Sequence, residues 1–172
     1  MQDKINNIVL IGPMGSGKTT VGRRLAEVLQ NDFYDADHEI INKTGVSIDH
    51  IFDIEGEEGF RERESSILED LCVKPNIVLA TGGGAIILKK NRELIKKMGS
   101  VIYLSSSVDQ ILRRTSKSKT RPLLENSPNR RKTILDIIEA REPLYQEVAS
   151  IVINTNGKKL NEVIKEIRSH LS

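Results

Sequence analysis

Short apolar, β-branched runs recur along the chain at 7–11 (NIVLI), 77–81 (IVLAT), 100–104 (SVIYL) and 150–154 (SIVIN), with a weaker fifth at 32–37 (DFYDAD). Between them, apolar residues return at helical spacing. Val21, Leu25, Val28 and Leu29 make one such face; Ile67, Leu68 and Leu71 another; then Ile111 and Leu112; Ile134, Ile137 and Ile138; and Leu160, Val163, Ile164 and Ile167. The first pattern predicts strands and the second helices. Strands that are apolar throughout, alternating with helices, predict a parallel sheet covered on both faces, a three-layer α/β domain. Two stretches fit neither pattern: the mixed-charge segment 55–64 (EGEEGFRERE) and the basic segment 113–132. Both read as insertions riding on the sheet.

Between the first strand and the first helix stands Gly12-Pro13-Met14-Gly15-Ser16-Gly17-Lys18-Thr19, which fits G-x-x-x-x-G-K-[ST] in the strand-to-helix context that motif needs. Gly12, Gly15, Ser16, Gly17 and the following Thr20 would bring backbone N–H groups onto phosphate oxygens, backed by the helix N-terminus. Lys18 would reach the β- and γ-phosphates and Thr19 would ligate Mg²⁺. The anion is therefore read as a nucleoside triphosphate with magnesium. The motif names the donor but not the acceptor. Strand 77–81 ends in Thr81 and not in the aspartate that many P-loop NTPases place there, which argues against a motor or switch protein. The metal then needs another carboxylate.

Length and composition narrow the picture further. A chain of 172 residues can bury one sizeable core, so a single domain over 1–172 is expected. With 26 basic against 24 acidic residues and 3% aromatics, neither a phosphate backbone nor stacked bases find support, so nucleic acid is not an expected partner. The single Cys72 rules out an internal disulfide and fits a reducing compartment. The polar start MQDKINN runs straight into a strand, so no signal peptide or membrane span is expected and the cytoplasm is the expected location.

Candidates for the acceptor side follow. Asp35 and Asp37 fall at the end of the second strand, where open parallel sheets place ligands. In an extended segment a spacing of two points both carboxylates one way, so one could serve the metal and the other an acceptor hydroxyl. The competing reading makes Asp37 the cap of a helix starting near His38. Gly82, Gly83 and Gly84 could be a plain loop or a loop whose N–H groups meet a carboxylate. Arg61 reads as a solvated helix face or an anion ligand. Arg121, among many basic neighbours, reads as surface loop or phosphate contact, and Arg141 as an ion-pair partner or an anion ligand.

In order and at family-like separations, GPMGSGKTTVGRRLA, DADHEI, IFDIEGEEGFRERE, ATGGGAI, RPLL and AREPLYQEVA resemble the shikimate kinases along essentially the whole chain. The resemblance implies a P-loop kinase fold with sheet order 2-3-1-4-5, a substrate-binding region at about 36–64 and a lid at about 113–127. It implies transfer of the ATP γ-phosphoryl to the 3-hydroxyl of shikimate, on the route to chorismate. By motif, Asp37 matches the acid at the acceptor hydroxyl, and Asp35 the acid on the magnesium side, directly or through water. Arg61 and Arg141 match the carboxylate-holding arginines, with Gly82, Gly83 and Gly84 bordering shikimate. Arg121 matches the lid arginine on the phosphate, Arg114 one near the adenine, and the adenine loop falls near 154–157. The expected partners are ATP and shikimate, with the chain working as a monomer. Competing readings are another small-molecule kinase, for gluconate or a nucleoside monophosphate, and a nucleotide-binding module without turnover. Two arginines aimed at a carboxylate speak against a neutral acceptor, RPLL with TGGGA speaks against a nucleotide acceptor, and the presence of Asp37, Lys18 and Arg121 speaks against an inert module.

Overall fold

The computed structural model describes residues 6–116 and 128–171. Five strands, β1 (Asn7–Ile11), β2 (Asp32–Asp35), β3 (Ile77–Ala80), β4 (Gly99–Ser105) and β5 (Ile151–Asn154), form one sheet in the order β2-β3-β1-β4-β5. Every pairing is parallel, with Val9 opposite Leu79 on one side and Val101 on the other. Seven described helices surround it: α1 (Lys18–Leu29), α2 (Ala36–Thr44), α3 (Ile48–Cys72), α4 (Lys89–Met98), α5 (Val108–Thr115), α6 (Arg130–Val148) and α7 (Leu160–Leu171).

The two-residue period of the strands divides the core. Val9, Ile11, Ile77, Leu79, Val101 and Tyr103 face α2, α3, α4 and α6, whereas Ile8, Leu10, Val78, Ile102, Leu104 and Ile153 face α1 and α7. Both faces of β1, β3 and β4 are covered, which is why their sequences are continuous apolar runs. A smaller cluster packs Met14 of the first loop against Ile111 of α5 and Ile134 of α6.

This topology positions the site. The helix after β1 covers one face and the helix after β3 covers the other, so the chain diverges at the carboxyl ends of these two neighbouring strands. A crevice opens there, as expected where the winding of an open α/β sheet reverses.

Three local expectations need correction. Residues 55–64 are not an insertion but lie within α3, whose helical path breaks at Gly56 (φ 71°). The segment 32–37 is not extended throughout: α2 starts at Ala36, because the Asp35 carboxylate accepts from the His38 backbone N–H and caps the helix. The cap is thus Asp35, not Asp37. Helix α4 has no counterpart in the predicted elements, since KKNRELIKKM offers only Leu94, Ile95 and Met98 as an apolar face. Among the described residues, no helix is long and apolar enough to cross a membrane.

Candidate active site

The loop after β1 is shaped by glycines at left-handed dihedrals, Gly15 (φ 74°) and Gly17 (φ 92°), where a side chain would strain the backbone. Gly17 also stands at the N-cap of α1 with no side-chain cap, so the first-turn amides face the crevice mouth without an internal acceptor of that kind. Lys18 is buried, and its ammonium donates to the Gly12 carbonyl at 2.7 Å and the Pro13 carbonyl at 2.9 Å. Thr19 donates its hydroxyl to the Asp35 carboxylate at 2.5 Å. The loop and the end of β2 thereby present a hydroxyl and a carboxylate side by side.

A cleft of about 580 Å³ runs from Gly15, Lys18, Thr19 and Thr20 past Asp35 and Asp37 to Thr81, Gly82 and Gly83, with Arg114 at its rim. Thr81 ties the glycine loop to β1 by donating to the Leu10 carbonyl at 2.8 Å. Arg114 donates to the Gly15 carbonyl at 3.0 Å. It also borders a second hollow of about 230 Å³ together with Ser16, Thr20, Thr155 and Lys158, on the side where the adenine loop was expected.

Arg61 and Arg141 are both buried, which removes the solvated-face reading for the first and the simple surface ion pair for the second. Both guanidiniums flank the glycine loop: a Cβ on Gly84 would collide with that of Arg61, and one on Gly83 would lie 3.6 Å from Arg141 Nη1. Arg61 donates to Glu64 at 2.9 Å and to Glu57 at 3.3 Å. A Cβ on Gly82 would lie 2.7 Å from Glu64 Oε2 and 3.0 Å from Asp37 Oδ1, so only glycine leaves room for this carboxylate pair.

Glu64 is a site residue that the sequence reading left in a charge run. It is fully buried, and burial pushes its carboxyl from 4.5 up to about 7; Arg61 opposes that rise and the nearby Asp37 adds to it. The native state therefore holds a proton that the unfolded chain releases between pH 4.5 and about 7. Its contribution to stability is largest below that window and is lost as pH rises through it. Glu64→Gln, which keeps the acceptor oxygen for Arg61 but cannot ionise, is expected to flatten this part of the profile. The difference should be on the order of 3 kcal/mol between pH 5 and pH 8, read by urea unfolding of parent and variant. An unchanged slope in the variant would place the titration elsewhere.

The signal for Glu64 was present in the spacing. Phe60 lies four residues before it, Leu68 four after and Leu71 seven after, all buried on one helical face. Tyr145 was missed as well; its hydroxyl donates to the Gly83 carbonyl at 2.6 Å. The expected lid arginine, Arg121, and most of the expected lid lie outside the described residues.

A protein-family model for shikimate kinase matches residues 14–172 of this chain. A shikimate kinase of Thioalkalivibrio sulfidiphilus is 49% identical over 94% of this chain and 85% of its own length. One of a Psychrobacter species is 46% identical over 99% and 96%. Among solved structures, a shikimate kinase from Acinetobacter baumannii in complex with shikimate superimposes with a TM-score of 0.95 at 47% identity, covering 98% of this chain and 94% of that one.

Proposed function

Because this chain belongs to the shikimate kinase family, an ATP-dependent kinase acting on a shikimate hydroxyl, we propose how its own residues divide the work. The acceptor oxygen is the 3-hydroxyl of shikimate. As that oxygen bonds to the γ-phosphorus, its proton passes to the Asp37 carboxylate, the bridging oxygen–γ-phosphorus bond breaks, and ADP leaves. Lys18 and the loop Gly12–Thr20 hold the triphosphate, and Arg114 borders the nucleotide. Arg61, Arg141 and the Gly82–Gly84 loop hold the shikimate carboxylate, a planar anion suited to guanidinium forks.

The observation that carries this reading is convergence. Asp37, Gly82 and Gly83 line one cleft with the phosphate loop, and the buried Arg61 and Arg141 lie against Gly84 and Gly83 of the same glycine loop, although these residues come from α2, α3, α6 and the loops after β1 and β3. A gluconate-type acceptor also bears a carboxylate, and the test below includes it.

Thr19 and Asp35 offer hard oxygen donors beside the phosphate loop, which fits Mg²⁺. Among the described residues, no group of three His, Cys, Asp or Glu side chains could hold a metal unaided, so the remaining ligands would be phosphate oxygens and water. When bound, the ion supplies charge neutralisation on the β- and γ-phosphates. Arg121 is assigned to the γ-phosphoryl by its RPLL motif alone.

The test is a coupled ADP-release assay across shikimate, gluconate and nucleoside monophosphates. ADP release is expected only with shikimate and a divalent cation. Equal turnover of gluconate, or none of shikimate, would overturn the reading.

A further inference from the structure

Tyr145 lies one helical turn after Arg141 on α6, is 1% exposed, and does more than fill the core. A phenylalanine would supply the same ring, whereas a buried hydroxyl costs desolvation unless it is hydrogen-bonded. Here it donates to the Gly83 carbonyl at 2.6 Å, and the Arg141 guanidinium is near enough for its charge to act on the phenol. The ring stacks on Tyr103 of β4, with centroids 4.9 Å apart and planes 21° apart, and the Tyr103 hydroxyl is itself held by Glu142. The hydroxyl thus projects from a fixed post.

We propose that Tyr145 is a positioning residue for the acceptor carboxylate, its hydroxyl holding the Gly83 peptide in register with the Arg141 guanidinium beside it. The inference rests on the assignment of Arg141 and the glycine loop to that carboxylate under Proposed function. The peptide between Gly83 and Gly84 is trans, so its carbonyl and its N–H point in opposite directions. Fixing the Gly83 carbonyl therefore fixes the direction of the Gly84 N–H, on the residue that lies against Arg61. The Gly83 peptide it holds also lies beside Arg141, whose Nη1 would be 3.6 Å from a Cβ on Gly83. One oxygen thereby aligns the loop element of the carboxylate site with the arginine on the helix beside it. Burial drives the phenol up to about 12, so it remains a donor across the working pH range.

The experiment compares KM values of parent and Tyr145→Phe for shikimate, for shikimate carboxamide and for ATP. The expected result is a rise of about fivefold or more in the KM for shikimate, the loss typical of one hydrogen bond. KM for ATP and for the carboxamide should stay within about twofold. A partly unfolded preparation would lower Vmax with every substrate and leave each KM in place, so the KM ratio reports positioning and not folding. If the variant's KM for shikimate is unchanged, or rises equally with the carboxamide, Tyr145 is only a core residue and the inference is overturned. If the parent itself does not prefer shikimate to the carboxamide, the carboxylate reading of the site fails, and the inference goes with it.

Discussion

Asp37→Asn should cut kcat by about 10²- to 10⁴-fold, the usual contribution of a positioned general base, while ATP affinity changes little. Asparagine keeps the shape and removes the charge that would accept or orient the acceptor proton. The effect can be assigned to chemistry because the helix cap on α2 is Asp35, whose carboxylate accepts from the His38 N–H. Asp37 stands past the cap in the first turn, so its replacement should not cost the stability that loss of a cap would. A second reading comes from Glu64. Asp37 is one of the causes holding the Glu64 carboxyl up near 7, so neutralising Asp37 should let Glu64 titrate lower and shift the pH dependence of stability with it. Steady-state kinetics and urea unfolding across pH test both halves. A kcat within about threefold of the parent would take Asp37 out of the proton transfer.

The parts of this molecule that are legible in its sequence are those whose environment is simple. Strands β1, β3 and β4 are buried on both faces, so their apolar runs need no partner to be recognised. The phosphate loop is legible because strand, glycines, Lys18 and helix lie within a dozen consecutive residues. Helix α4 is obscured by its polar majority, and the phase of α3 is broken at Gly56, so Phe60, Arg61 and Glu64 look like a solvated charge run until Leu68 and Leu71 are counted with them. The acceptor side is different again. Arg61, Gly84 and Arg141 are far apart in sequence, and only the order β2-β3-β1-β4-β5 and the helices on that face of the sheet bring them together. No local pattern encodes that meeting, which is why it was reached through a resemblance, and why the Tyr145 contact to Gly83, a product of the same long-range packing, was not anticipated.

Lys18→Ala should be nearly as damaging as loss of the carboxylate, with kcat falling about 10²- to 10³-fold, the loss seen when one preorganised donor to developing charge is removed. Two roles of the ammonium must be separated. It bonds the Gly12 and Pro13 carbonyls, so it shapes the loop that carries it. In the role proposed for it, the same group at the N-terminus of α1 also neutralises β- and γ-phosphate charge. Alanine removes both functions, since it takes the ammonium donor from the buried Gly12 carbonyl and leaves the Pro13 carbonyl with only the Ser16 N–H at 3.2 Å, as well as removing the charge. Lys18→Arg keeps the charge alone: a planar guanidinium cannot replace a compact tetrahedral donor between two carbonyls less than 3 Å from it. Arginine is therefore expected to lose at least about tenfold in kcat, or roughly 1.4 kcal/mol of transition-state stabilisation, and to retain most of the ATP binding that alanine loses. Parent-like turnover in Lys18→Arg would mean that charge near the phosphates suffices and that the position of the ammonium, fixed by its own loop carbonyls, contributes nothing to the rate.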